Sequence, residues 1–297
     1  MPPSISVVTP SYNQAAFIER TIQSVLSQGV GDLEYVVMDG GSTDETVEVL
    51  KRFDGRLRWV SEKDRGQSDA VNKGIRQTSG GIIGWLNSDD VYYPGALASA
   101  LAYFAAHPEV DLLYGNANHI DEHDKIVEPY PTEPWDLNRL KETCYLCQPA
   151  VFFRRRVVER HGGIDDNLQY CMDYEFWLRL GHADIRVAHV PQVLAGSRLH
   201  AATKTLRSRV KVHREVNSMI RGRCGRVPER WLYNYAHTVL DEKGVPRARK
   251  LKFALGLSVL SCYASLRWNH RLSGDVMRTS SQWIWHNSVS ALKEVWS

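Results

Sequence analysis

Apolar runs alternate with helix-period segments through the first two thirds of the chain. Residues 5–9 read as a strand, and 17–27 as a helix turning Ile18, Ile22, Val25 and Leu26 inward. A second strand over 33–38 runs into the tight turn Asp39-Gly40-Gly41-Ser42, and Ser42-Thr43-Asp44-Glu45 can cap a helix over 45–53. Residues 57–61 form a third strand, 68–78 a helix ending near Gly80-Gly81, and 82–86 a fourth strand. Strand and helix alternating at this spacing predict an α/β fold with a parallel sheet and crossover helices. Further on, 96–106 is helical, 110–114 a strand, the Pro-rich 128–135 a loop and 150–153 a strand. A helix over 155–161 stops at Gly162-Gly163. Residues 174–180 are helical, and 187–194 are strand-like but broken by Pro191.

Beyond about Thr205 the pattern becomes helical and basic. A boundary near 200–210 therefore separates an α/β domain, 1–204, from a helical region, 205–297. Charge follows the same division. Residues 198–271 hold 17 Lys+Arg against 4 Asp+Glu, whereas 1–197 hold 18 against 28. The two regions are expected to meet different partners. The 297 residues, 43% hydrophobic and 24% charged, suit a globular protein of one large domain or two smaller ones.

The start of the chain, residues 1–3 leading straight into a strand, lacks the charged opening and long apolar core of an export signal. The longest late uncharged stretch, 253–266, has 14 residues. A membrane span needs roughly 18. Five cysteines outline no disulfide framework, and Cys144-x-x-Cys147 has no second pair at zinc-ribbon spacing. Reduced thiols in a cytoplasmic protein are the expectation.

Each early strand is followed by a polar cluster: Thr9-Pro10-Ser11-Tyr12-Asn13, Asp39-Gly40-Gly41, Glu62-Lys63-Asp64-Arg65-Gly66-Gln67 and Asn87-Ser88-Asp89-Asp90. In a parallel sheet these turns meet at the carboxyl edge, where open α/β sheets bind ligands. Adjacent carboxylates at 89 and 90 repel, so they need a cation or strong donors. Tyr12 can stack on a base, Asp39 can accept from a base N–H or a ribose hydroxyl, and Gly40-Gly41 lets backbone approach closely. Neither a Walker loop nor a dinucleotide fingerprint is present, so a bound diphosphate would need a metal, with Asp89 as its ligand.

The order Thr-Pro-Ser-Tyr-Asn, Asp-Gly-Gly-Ser-Thr-Asp-Glu-Thr, Glu-Lys-Asp-Arg-Gly-Gln, Asn-Lys-Gly and Trp-Leu-Asn-Ser-Asp-Asp, over about 4–205, resembles family 2 glycosyltransferases of bacterial polysaccharide assembly. The resemblance implies a GT-A fold, a UDP-, GDP- or dTDP-sugar donor, Mn²⁺ or Mg²⁺, and inversion at the anomeric carbon. Carried over by residue, Thr9, Tyr12, Asn13, Asp39, Gly41, Asp64, Gln67, Asn72, Lys73, Asn87 and Ser88 would line the donor site. Asp89 and His200 would hold the metal, with Asp90 fixing the loop through backbone N–H bonds. Asp173 would be the catalytic base, and Glu175 its less favoured alternative. On local grounds Asp173 can equally be a helix N-cap. Three departures stand out: Asn87 where the family's first acid lies, Met172 where a Glu precedes the base, and Val71 where an Arg is common. Lys73 or Arg65 would then meet the donor instead. Gln148 can floor the acceptor side, while Trp85 and Trp177 read as buried core, with a sugar platform as the alternative. A scaffold that binds nucleotide sugar without turnover is the rival reading. A nucleotidyltransferase would carry a Gly- and Lys-rich first loop, which Thr9–Asn13 lacks.

The basic region reads either as a solvated helical cap or as a surface patch for anionic lipid. Cations flanking Leu, Phe, Tyr and Trp favour the latter, with a lipid-linked saccharide acceptor and a peripheral place on the cytoplasmic face of the inner membrane. No nucleic-acid reading motif accompanies the charge.

Overall fold

The computed structural model describes residues 4–201 and 203–295; the reading of the chain's start falls on 1–3, outside them, as does the end of the helical region at 296–297. The chain divides into two compact units, 4–137 with 144–201 and 138–143 with 203–295. Through the α/β unit the order is β1 (Ile5–Ser11), α1 (Ile18–Leu26), β2 (Leu33–Asp39), α2 (Thr46–Lys51), β3 (Arg58–Ser61), α3 (Gln67–Arg76), β4 (Ile82–Trp85), β5 (Val91–Tyr92) and α4 (Ala96–Ala106). Then follow β6 (Leu112–Ile120), β7 (Ile126–Pro129), α5 (Leu137–Glu142, which past its first residue belongs to the second unit), a 3₁₀ turn (Gln148–Ala150), β8 (Val151–Arg154), α6 (Arg155–His161), α7 (Met172–His182) and β9 (Val187–Arg198).

One sheet takes the order β3-β2-β1-β4-β8-β6-β9-β5, with β7 on β6. Strands β1 to β4 pair parallel; β8 is antiparallel to both β4 and β6, and β9 is parallel to β6. So β1, β2, β3, β4, β6 and β9 all run one way, and their carboxyl ends share an edge. All seven residues of β1 are buried, as a Val/Ile run covered on both faces requires. Helix α1 buries Ile18, Ile22 and Val25, while Leu26, expected inward, is only half-buried at its end. Helix α3 lies directly on β1, because a Cβ on Gly74 would stand 2.4 Å from Val8. Glu34 fastens the start of β2 to the turn before β4, accepting from the Ser79 and Gly80 amides and the Ser6 and Ser79 hydroxyls.

Two local expectations change. The strand at 187–194 is not broken by Pro191: β9 continues to Arg198, because Pro191 and Gln192 fall in a register shift opposite Gly115 and Asn116, where no ladder N–H is needed. Residues 126–129 pair with β6 as an exposed edge strand, shortening the expected Pro-rich loop. Within the segment expected to cap α2, Asp44 takes the Thr46 N–H on its carboxylate at 3.0 Å, while Glu45 occupies the N-cap position without a side-chain bond.

The second unit comprises α8 (Lys204–Arg207), α9 (Arg209–Cys224), α10 (Glu229–Glu242), α11 (Lys250–Asn269) and α12 (Gly274–Val295). Ala236 and Leu240 of α10 meet Phe253 and Leu257 of α11 in its core, with Trp283 packed against them. The Trp231 indole donates to the Lys141 carbonyl at 3.1 Å, tying in the 138–143 segment. Among the described residues no helix is long and apolar enough to cross a membrane.

Candidate active site

The turns at the carboxyl edge are hydrogen-bonded to one another in series. At the end of β1, the Asn13 N–H donates to Ser42 Oγ at 2.7 Å, and Asn13 Oδ1 accepts the Thr43 N–H at 2.8 Å. This joins the β1 turn to the β2 turn and holds Asn13 at φ +53°. Tyr12 is left 60% exposed, an aromatic face open to stacking. The β2 turn is joined to the end of β3 through Asp39. Its buried carboxylate accepts the Ser42 N–H and Oγ–H and, at 2.6 Å, the Ser61 hydroxyl. Gly40 is dictated by its neighbour, since a Cβ there would lie 2.7 Å from Asp64 Oδ2. Gly41 needs its positive φ of +79°. Asp64 is half-buried and accepts the Gly66 N–H at 2.8 Å. Desolvation pushes its carboxyl upward, and the charges of Asp69 and Asp39 add to this against Lys73.

Gln67, opening α3, donates to Asn87 Oδ1 at 2.7 Å and so joins the third turn to the acidic one. Asn87 is a hub. Its Oδ1 also accepts from the Trp85 indole at 2.9 Å, and its Nδ2 donates to Gln148 Oε1 at 2.8 Å and Asp90 Oδ2 at 3.3 Å. All four hydrogen-bonding positions of the amide are thereby used. The geometry also explains why an amide stands here: a carboxylate would aim an acceptor at Gln148 Oε1 and at Asp90. Gln148, read from sequence as an acceptor floor, is buried and donates to the Trp85 carbonyl, so it braces the acidic turn.

The acidic turn is then locked to the end of β9. Asp90 is buried and takes the Arg198 N–H at 2.8 Å, as the loop-fixing role requires. Burial and the adjacent Asp89 charge push its carboxyl well up. The Arg198 side chain, fully buried, donates to the Asp89 carbonyl at 2.6 Å and the Asp121 carbonyl at 2.7 Å, pairs with Asp124, and lies 5.2 Å over the Phe17 ring. Ser88 is buried, with its carbonyl held by Thr21 Oγ. Only the Asp89 carboxylate remains turned outward, its side chain 20% exposed and 3.0 Å from His200 Nε2. The Phe17 ring packs on the imidazole at a centroid distance of 4.6 Å.

A carboxylate oxygen and an imidazole nitrogen this close are donor types that would suit a divalent cation such as Mn²⁺ or Mg²⁺. Among the described residues no cluster of three His, Cys, Asp or Glu that could hold a metal exists.

Asp173 is the second residue of α7, and Cys171 occupies the N-cap position. Its carboxylate accepts its own and the Tyr174 N–H at the positive end of the helix, yet desolvation prevails and pushes it upward. Its charge acts on Cys144, Cys147 and Tyr130. Cys147 also feels the Asp90 charge. Glu175 is fully buried and bidentate to Arg179 at 2.9 and 3.2 Å, which removes it from base chemistry.

Other expected donor residues are engaged by the chain's own groups. Thr9 is buried and bonded to Tyr35. Asn72 spends its amide on the Ile164 backbone at 2.7 and 2.9 Å. Lys73 pairs with Glu62 at 3.0 Å and Asp69 at 3.5 Å, and Arg65 pairs with Asp69 and Asp166. Trp85, Trp177 and Val71 are core. All five cysteines are thiols. Arg198 and Asp124 carry the geometry of the acidic turn. Arg198 stands in a legible Arg-Leu-His segment, but the hairpin tip bearing Asp124 leaves no trace in the local pattern.

Comparison with known proteins gives this site its context. The family model for glycosyl transferase family 2 matches residues 6–162. An uncharacterised glycosyltransferase of Rickettsia prowazekii is 29% identical over 68% of this chain and 66% of its own length. Chondroitin synthase of Escherichia coli is 26% identical over 69% of this chain but only 30% of its own. A Mycobacterium bovis glycosyltransferase of PGL/p-HBAD biosynthesis is 30% identical over 60% of this chain and 69% of its own. The chain thus spans less than two thirds of the length of the first two. Staphylococcus aureus TarS in complex with UDP-GlcNAc superposes with a TM-score of 0.66 at 16% identity, over 96% of this chain and 89% of TarS. A Pyrobaculum calidifontis mannosyltransferase in complex with GDP-Man and Mn²⁺ does so at 0.60 and 19%, over 100% and 88%. These two establish the GT-A fold, and the family match over more than half of the sequence establishes that the chain belongs to glycosyl transferase family 2.

Proposed function

We propose that the protein is a metal-dependent inverting glycosyltransferase of cell-surface polysaccharide assembly. It transfers a sugar from a UDP-, GDP- or dTDP-linked donor to a hydroxyl of a lipid-linked saccharide at an anionic membrane surface. The observation that carries the reading is the Asp89–His200 pair at 3.0 Å, presented by a turn locked through Asn87, Asp90 and Arg198. Similarity to a fold bound with GDP-Man and Mn²⁺ supports it.

Tyr12 stacks on the base, and Asp64 accepts from the base or ribose. Asp39 and Asn87 act one step back, holding the turns that shape the site. Asp89 and His200 hold the divalent ion, which supplies electrostatic stabilisation to the departing diphosphate. Asp173 accepts the acceptor hydroxyl's proton as that oxygen attacks the anomeric carbon. The carbon's bond to the diphosphate oxygen breaks, and a nucleoside diphosphate leaves. A base on one face and a leaving group on the other invert configuration. Desolvation of Asp173 raises its proton affinity, which suits a general base near neutral pH.

A donor screen tests this. Each common UDP-, GDP- and dTDP-sugar is incubated with the protein, Mn²⁺ and a membrane lipid extract, and nucleoside diphosphate release is followed. Release from one donor, abolished by Asp89→Ala, is expected. Tight donor binding with no release from any donor would instead make the protein a nucleotide-sugar-binding scaffold.

A further inference from the structure

The second unit carries a surface that catalysis does not use. Helix α11 buries Phe253, Leu257 and Trp268 on one side. Its opposite side is a row of exposed apolar residues at helical spacing: Leu255 at 44%, Val259 at 68%, Tyr263 at 50% and Leu266 at 51%. A helix on the surface of a globular protein turns charged or polar residues outward, whereas this one carries no charge from Phe253 to Leu266 and buries Ser258, Ser261 and Ser265. The row spans about 18 Å at 1.5 Å per residue, far short of the roughly 30 Å of a bilayer core. The ends of the row are cationic, with Arg249, Lys250 and Lys252 before it and Arg267 and Arg271 after it. Helix α12, packed on α11, also exposes Trp285, at 69%.

We propose that this face of α11 docks on an anionic lipid bilayer, lying in the plane of the interface with Leu255, Val259, Tyr263 and Leu266 below the headgroups. Charge complementarity selects the occupant. A second copy of the chain would bring the same cations together, whereas an anionic leaflet meets both ends of the row with opposite charge. An apolar strip with basic flanks, too short to span, is the pattern of an interfacial helix. The inference deepens the reading of a lipid-linked acceptor by naming the surface that meets the membrane.

The test is co-sedimentation of the full chain with vesicles of phosphatidylcholine alone and of phosphatidylcholine mixed with phosphatidylglycerol. The wild type is expected to sediment with the anionic vesicles. Val259→Glu combined with Leu266→Glu should lower that partitioning by about tenfold or more. Both positions are exposed, so far-UV circular dichroism and nucleotide release with a detergent-solubilised acceptor should match wild type. Arg249→Ala with Lys252→Ala should weaken binding and its salt sensitivity together. A wild type that stays in the supernatant, or a Glu variant that binds equally well, overturns the proposal. So does a wild-type oligomer that the Glu variant dissociates, since that assigns the face to a second copy. Vesicle binding without transfer to any lipid-linked acceptor would leave this surface standing and remove the acceptor reading. Transfer in detergent without vesicle binding would do the reverse.

Discussion

At the scale of single residues, the site is built from groups that hold other groups. Asn87 illustrates this: each of its amide atoms meets two partners, so its identity is set by Gln148 and Asp90. Asn87→Asp is expected to destabilise the protein by about 1–3 kcal/mol, because two donors become acceptors facing acceptors. Urea denaturation should show a lower midpoint with an unchanged slope, and kcat/KM should fall with it. An unaltered midpoint would mean that the network does not constrain the turn. Asp173 gives a pH prediction. A base works when ionised, and burial raises the pH at which this carboxyl ionises. The acid limb of the kcat profile should therefore lie above the ordinary aspartate range, near 4. At this scale sequence reads the motif side chains well and their partners poorly. Asp89, Asp90 and Asp173 stand in recognisable segments. Arg198 reaches Asp89 across 109 positions, and nothing local announces such a contact. Thr9 and Asn72 sit in motifs too, yet their polar atoms are bonded inward, to Tyr35 and Ile164. A motif fixes a residue's place in the chain, not the direction in which its side chain turns.

At the scale of elements, placement depends on close approach and on pinned turns. Alanine is the better helix former, yet Gly74→Ala should destabilise by roughly 1–3 kcal/mol, because the new methyl meets Val8 on β1. A more stable variant would show that α3 can lift off β1 freely. Glu34 makes a second case. Burial raises its pKa, but hydrogen bonds from Ser79, Ser6 and Gly80 prevail and hold it at about 2, against 4.5. A depressed carboxyl stabilises the fold above its unfolded pKa and loses that contribution as pH falls towards its folded one. Wild type should therefore exceed Glu34→Gln in stability by roughly 2 kcal/mol at pH 7, with the gap closing between about pH 4.5 and 2. A gap that does not change with pH would contradict this. Element types were legible because buried parallel strands read as Val/Ile runs and amphipathic helices as 3.6-residue repeats. The extension of β9 through Pro191 was not, since a register shift depends on the partner strand. The edge strand β7, exposed at every position, has no apolar face to betray it.

At the scale of the whole molecule, the charge division in the sequence, acidic before 198 and basic after, accompanies a division into an α/β unit and a helical unit. The family's motifs lie on the α/β unit, while the helical unit presents the apolar face of α11. Sugar, base and acceptor are set by the shape of the site, which motif spacing does not encode.

The central claim is that the α/β unit turns a donor over, with Asp173 as its base. The most direct test compares wild type and Asp173→Asn for both donor affinity and kcat, using the donor that the screen identifies. The amide keeps the shape of the side chain and cannot accept the proton. Donor affinity should stay within a few-fold while kcat falls by about 10²- to 10⁴-fold. A variant that transfers sugar at close to the wild-type rate would contradict the account and leave Asp173 with a structural role at the start of α7.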